Sequence, residues 1–216
     1  MKRPIGYAPF GYAPIGYALV GIAALAASLA FITLRTPKAQ ARNAAFGNPV
    51  DGLVLGLRAE LGNPDAQFWY GVTCQYGYGR AQNIKAAEIW YRRAIAQGNA
   101  AAAFNLGTLY ERGKDQPQNL KRALYWLRIG AERGNPQAEN SLGYLIMTGH
   151  GVTADPQQAF FWLARSVVQG NAVAARNLAI MYQQGLFVPR DPAAARYWRD
   201  RARDLAANGP ESHKIQ

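Results

Sequence analysis

The chain has 216 residues, 50% of them hydrophobic, which is enough to bury a core and too apolar for a disordered chain. With 24 Lys+Arg against 13 Asp+Glu it carries a formal charge of +11, a balance that raises anionic partners first. Its single cysteine, Cys74, excludes an intramolecular disulfide framework, and two histidines, His150 and His213, leave little material for a metal site or a catalytic triad.

No charged residue lies between Arg3 and Arg35. Residues 15–34 are 20 uncharged, mostly apolar positions, long enough to cross a hydrocarbon core of about 30 Å. This stretch is expected to be a transmembrane anchor or a signal peptide. Lys2 and Arg3 form a basic lead, and Ala39-Gln40-Ala41 has a small-x-small cleavage pattern. The length of the run, with Arg35 and Lys38 close behind it, favours an uncleaved single-pass anchor. The expected place is a bacterial inner membrane with the remainder in the periplasm, a cleaved, secreted form being the other option. Ahead of the run, residues 1–14 begin a repeat (Pro4-Ile-Gly-Tyr-Ala8, Pro9-Phe-Gly-Tyr-Ala13, Pro14-Ile-Gly-Tyr-Ala18) whose prolines prevent a regular helix. Its tyrosines suit a headgroup zone or a docking strip for another membrane protein. Residues 35–47 read as a linker, and 48–61 as a short capping helix announced by Asn48-Pro49.

A fixed period governs the rest. Gly62, Gly98, Gly134 and Gly170 are 36 residues apart and each precedes an asparagine; Trp90, Trp126, Trp162 and Trp198 repeat at the same interval. Self-similarity at this spacing marks a solenoid. Each unit reads as two antiparallel helices. The first starts at an Asn cap, with proline following Asn63 and Asn135, and carries one apolar face through Ala66/Ala102/Ala138/Ala174, Tyr70/Leu106/Leu142/Leu178 and Cys74/Tyr110/Ile146/Tyr182. It ends at Gly77, Gly113, Gly149 or Gly185. The second starts at Asn83, Asn119, Asp155 or Asp191 and carries Ala87/Ala123/Ala159/Ala195, the tryptophans, and Ala94/Gly130/Ser166/Ala202. Gly71, Gly107 and Gly143 sit inside first helices, where glycine costs about 1 kcal/mol, and so imply a close helix–helix approach. The units are expected at 62–97, 98–133, 134–169 and 170–205, within a solenoid of 48–205, followed by a polar tail at 206–216.

The segment Ala138–Asp155 (AENSLGYLIMTGHGVTAD), followed by Ala159 and Trp162, resembles the Sel-one-like repeat (SLR) family. The second unit resembles it through Ala102, Leu106, Gly107, Tyr110, Gly113, Ala123 and Trp126, with Asp115 in place of the second loop glycine. The first unit departs at Tyr70 and Cys74, the fourth at Ala179 and Leu186-Phe187-Val188. The resemblance implies an all-α fold: a right-handed α/α superhelix related to tetratricopeptide arrays, with first helices lining a concave face. Such arrays act as scaffolds for protein or peptide partners. Some members staple helix pairs with paired cysteines, which this chain lacks.

Candidate contact residues lie on first helices off the core stripe: Phe68, Trp69, Phe104, Asn105, Thr108, Asn140, Ser141, Tyr144, Arg176 and Asn177. Asparagine and arginine in such rows can hold a peptide backbone or carboxylate. No catalytic, cofactor or metal residue is assigned: His150 falls at a loop position, Cys74 in a core slot, and no carboxylate pair stands out for acid–base work. An envelope hydrolase ranks below a scaffold, and below an accessory subunit docking through the tyrosine-rich N-terminus. Four basic residues flank the apolar run, and the other 20 face all 13 acids as a net +7 spread over the units. Nucleic acid is therefore not expected as a partner.

Overall fold

The computed structural model describes residues 34–45, 48–113 and 117–208. Among them are ten helices: α1 (Pro37–Ala45), α2 (Pro49–Glu60), α3 (Pro64–Tyr76), α4 (Ile84–Ala96), α5 (Ala100–Arg112), α6 (Leu120–Glu132), α7 (Pro136–Thr148), α8 (Pro156–Val168), α9 (Ala172–Gln184) and α10 (Pro192–Asn208). The described residues contain no strand.

Local chemistry sets the helix boundaries as the spacing predicts. The Asn63, Asn99, Asn135 and Asn171 side chains accept from the backbone N–H of Ala66, Ala102, Ala138 and Ala174 at 2.8–3.2 Å. The second-helix caps Asn83, Asn119, Asp155 and Asp191 do the same three residues on. Each such bond satisfies a donor that the first helical turn would otherwise leave unpaired. The first helices end on glycines with φ of 61–74°, a left-handed turn that costs other residues a Cβ clash. In the following loop Gly79 and Gly151 are also left-handed, and in the fourth unit Phe187 takes that conformation at φ 64°. Its ring packs 5.7 Å from Phe160, a contact that a glycine could not make.

Helix pairs close where the first-helix glycines sit. A Cβ added to Gly71, Gly107 or Gly143 would lie 2.7–2.9 Å from the side chains of Tyr91, Leu127 or Leu163. The groups sealing the crossing are thus the residues after the tryptophans, all fully buried. The tryptophans pack one step outward. Trp90 and Trp162 are buried, whereas Trp126 and Trp198 are only partly so. In the fourth unit the sealing slot is Arg199, which reaches the surface to Gln183, and Ala179 stands opposite in place of glycine.

Two expectations need correction. Where a linker was expected at 35–47, α1 forms, because Thr36 accepts from the Ala39 N–H, Pro37 opens the helix, and Gln40, Ala41 and Ala44 become buried. It is clasped to α2 by the fully buried Asp51, which accepts from Arg35 and, at 2.9 Å, from Asn43; Arg58 donates to the Arg35 carbonyl at 2.7 Å. α2 follows the second-helix register, with Asp51, Val54, Leu55 and Ala59 buried 36 residues before Ala87, Trp90, Tyr91 and Ile95. α2 therefore stands where the second helix of a leading unit would, with α1 packed against it outside the 36-residue register.

The expected single-pass membrane localisation is also corrected. No helix among the described residues is long and apolar enough to cross a membrane. The longest, α10, has 17 residues and four arginines, short of the ~20 apolar positions that a span requires. The interfacial segment 1–14 and the 15–33 part of the apolar run, on which the membrane and N-terminal docking expectations rested, lie outside the described residues, as do 209–216 of the tail.

Candidate partner-binding surface

The curvature follows from which helices touch. α1 meets α3, α5 meets α7 and α7 meets α9, whereas successive second helices approach less closely and meet through long side chains, Arg93 with Glu60 at 3.2 Å and Arg92 over the Trp126 ring. The first helices therefore form the inner face and the second helices the outer one.

The ten sequence-predicted residues divide into two groups on this face. Phe68 and Phe104 pack, partly buried, against the core; the Phe68 ring centroid lies 4.9 Å from that of Trp69 and 6.1 Å from that of Tyr91. The asparagines hold the protein itself. The Asn177 side-chain amide donates to the Asn140 side-chain Oδ1 at 2.9 Å, tying the fourth unit to the third. Asn105 donates to the Tyr91 hydroxyl at 3.3 Å, and that hydroxyl donates to Gln75 at 2.6 Å. Burial pushes the Tyr91 phenol well above its usual range, so it stays a neutral donor. Thr108 bonds back to the Phe104 carbonyl at 3.0 Å. Ser141 is half-buried, while Tyr144 and Arg176 are exposed, and Trp69 is partly open at the α1 end.

Sequence reasoning missed three contributors. The slot of Thr108 and Tyr144 also holds Val72 and Ile180, and Ile180 is exposed. α1, unrecognised as a helix, stands beside α3 as a further inner-face helix. Between them opens a cleft of about 610 Å³. Its walls are Trp69, Val72 and Tyr78, with small side chains of α1, and Lys38 and Arg42 stand at the rim with no acidic residue among the lining. The Lys38 ammonium lies 5.9 Å from the Trp69 ring centroid. A cleft this size, with an apolar floor and a cationic rim, accommodates an apolar side chain next to a carboxylate.

Buried polar groups elsewhere on the first helices serve cohesion. Gln97 donates to Gln67 at 2.8 Å, and 72 residues on Gln169 donates to the fully buried Glu139 at 2.7 Å. Burial raises the Glu139 carboxyl above its ordinary value; the Arg165 guanidinium at 2.9 Å and the Gln169 bond oppose the rise. Burial likewise raises the Cys74 thiol, against the pull of Arg80. Among the described residues no cluster of three or more His, Cys, Asp or Glu is placed to hold a metal ion.

Solved structures resemble this chain over most of its length. A Sel1 repeat protein from Oxalobacter formigenes is 30% identical with a TM-score of 0.67, covering 81% of this chain and 72% of that one. A protective antigen of uropathogenic Escherichia coli displaying an SLR fold is 31% identical with a TM-score of 0.66; 69% of this chain is covered, but only 32% of the antigen. A putative Sel1 repeat protein from Klebsiella pneumoniae, 22% identical with a TM-score of 0.55 over 72% of this chain and 74% of that one, shares the fold. No curated protein matches the chain. The Sel1 repeat matches residues 64–99, 100–135, 136–171 and 172–205, in step with the 36-residue period and with the helix pairs α3–α4 to α9–α10, and the chain belongs to the Sel1 repeat family.

Proposed function

We propose that this protein is a non-enzymatic scaffold that holds a segment of a partner protein on the inner face of its four repeats, with the α1–α3 cleft as anchor point. Sel1 repeat proteins are in general protein-interaction scaffolds, which makes the inner face the first place to look. The observation that carries this reading is the cleft itself. It joins the rings of Trp69 and Tyr78 to Lys38 and Arg42, and the slot of its Val72 continues as Tyr144 and Ile180. The favoured segment therefore carries an apolar side chain beside a carboxylate, with the rest of its length running toward Arg176.

Photocrosslinking in cells from position 69 or 144, with Asn208 as control, tests this. A discrete partner should be trapped from both inner positions. Its yield should fall about tenfold or more in Arg42→Glu, a change that reverses one rim charge without touching the core. Equal yields from position 208, or indifference to Arg42→Glu, would count against the inner face.

A further inference from the structure

The basic charge of the solenoid is not shared between its two faces. The first helices α3, α5, α7 and α9 carry 2 Lys+Arg against 3 Asp+Glu, whereas the second helices α4, α6, α8 and α10 carry 11 against 4. A net +7 therefore lies on the outer helices. The even spread over units that the sequence suggested hides this division, because each unit contributes one helix to each face.

Along the middle of the outer face runs one slot, the residue before each tryptophan: Ile89, Tyr125, Phe161 and Tyr197. Its counterpart in α2 is Leu53. All five are large, apolar or aromatic, and 54–64% exposed. One exposed apolar residue on a surface is ordinary; the same slot left apolar and open on five successive helices is a continuous feature. The three aromatic rungs are also held in place. Each meets the indole that follows it edge-on, with centroids 4.8, 5.0 and 5.2 Å apart. In the first two units a lysine stands four residues before the rung and an arginine three after it: Lys85 and Arg92 around Ile89, Lys121 and Arg128 around Tyr125. Between the Tyr125 and Phe161 rungs, Arg128 and Glu132 of α6 and Gln158, Phe161 and Trp162 of α8 line a notch of about 350 Å³.

We propose that this row is a second docking surface, and that its occupant is an acidic amphipathic helix of a partner protein laid across the second helices. The spacing suits a helix. Packed helices lie about 8–10 Å apart, and the outer helices, which meet through long side chains such as Arg93 with Glu60 and Arg92 over the Trp126 ring, are somewhat farther. At 1.5 Å per residue, two to three turns of a crossing helix, about 7 to 11 residues, carry one apolar side chain from rung to rung. The charge suits carboxylates between those side chains, facing the lysines and arginines that flank the Ile89 and Tyr125 rungs. Other occupants fit less well. A second copy of this chain would set +7 against +7. Single-stranded nucleic acid stacks on aromatic rings, and Leu53 and Ile89 have none. A flat lipid surface would meet a convex ridge at only a few rungs. The surface is independent of the inner-face cleft, so either can fail without the other.

The test uses the full chain and synthetic helical peptides of about 30 residues, with leucine every seventh or every eleventh residue and glutamate between, read by fluorescence anisotropy. At least one spacing should bind. Its affinity should drop about tenfold or more in Tyr125→Ser/Phe161→Ser and in Lys121→Glu/Arg128→Glu, and stay at the wild-type value in the inner-face variant Tyr144→Ala. Both double variants change exposed side chains, and a far-ultraviolet dichroism spectrum matching wild type verifies their fold. The proposal is overturned if neither peptide binds, if the outer variants bind as wild type does, or if lysine-for-glutamate peptides bind equally well. It is also overturned if phosphatidylserine vesicles, DNA or a second copy of the chain occupies the row more tightly than the acidic peptide.

Discussion

The crossing of α5 over α6 offers a direct test of how each repeat is sealed. Leu127 is fully buried, and a Cβ on Gly107 would lie 2.7 Å from its Cγ and 2.9 Å from its Cδ2. The Cγ is the branch point of the side chain, so rotating a flexible end cannot relieve the clash. Gly107→Ala gains about 1 kcal/mol in helix propensity but overpacks the crossing by about 1–3 kcal/mol. A net loss of about 1 kcal/mol is expected. Leu127→Ala removes a buried leucine and should cost about 3 kcal/mol, transfer and cavity together. In the double variant the new methyl enters space the leucine has vacated, so the side-chain clash is relieved, leaving the 3.2 Å approach to the backbone nitrogen of residue 127, while the propensity gain remains. The expected loss is then about 2 kcal/mol, less than the two single losses combined, a favourable coupling of about 2 kcal/mol. Urea unfolding of the four proteins, followed by tryptophan fluorescence and far-ultraviolet dichroism, measures the cycle. Additive losses within about 0.5 kcal/mol would refute the assignment of Leu127 as the seal.

Further outcomes follow from the same structure. Trp162→Ala should cost about 3–5 kcal/mol, since its indole is buried, whereas the partly exposed Trp126 should cost about 2 kcal/mol; equal shifts in melting would contradict the observed difference in burial. Glu139 sets a pH dependence with a defined sign. Its folded-state carboxyl is raised above the ordinary value of about 4.3, so the folded protein holds a proton in a window where the unfolded chain has lost it. Lowering the pH from 7 toward 4.3 should therefore stabilise wild type relative to Glu139→Gln. A difference between the two that stays constant across that range, measured by urea midpoints, would remove Glu139 as the source.

Much of the fold was legible because its signals are local. An Asn or Asp cap, a proline at the first helical position and a left-handed glycine act within a few residues, and the period repeats them four times. The candidate site was less legible. Off-core slots such as Asn105, Asn140 and Asn177 look alike in sequence whether they face a partner or a neighbouring repeat. Asn177 reaches Asn140 across 37 residues, and no local pattern encodes that bond. α1 was missed for a related reason: Pro37–Ala45 has no counterpart in the repeat, and its helix is held by the Arg35 and Asn43 bonds to Asp51 in the next helix.

The sequence by itself determined the number of units, the antiparallel pairing of their helices and the glycine slots of close approach. Each follows from steric and hydrogen-bonding rules that operate within one turn. Tertiary structure decided which of two adjacent positions seals the crossing: the repeat pointed to the tryptophans, whereas Leu127, about 100° around the helix from Trp126, is the residue that closes on Gly107. It also decided where the charge goes. The count of +11 is a property of the chain, but its segregation onto the second helices has meaning only once stacking turns one helix of every pair inward and the other out.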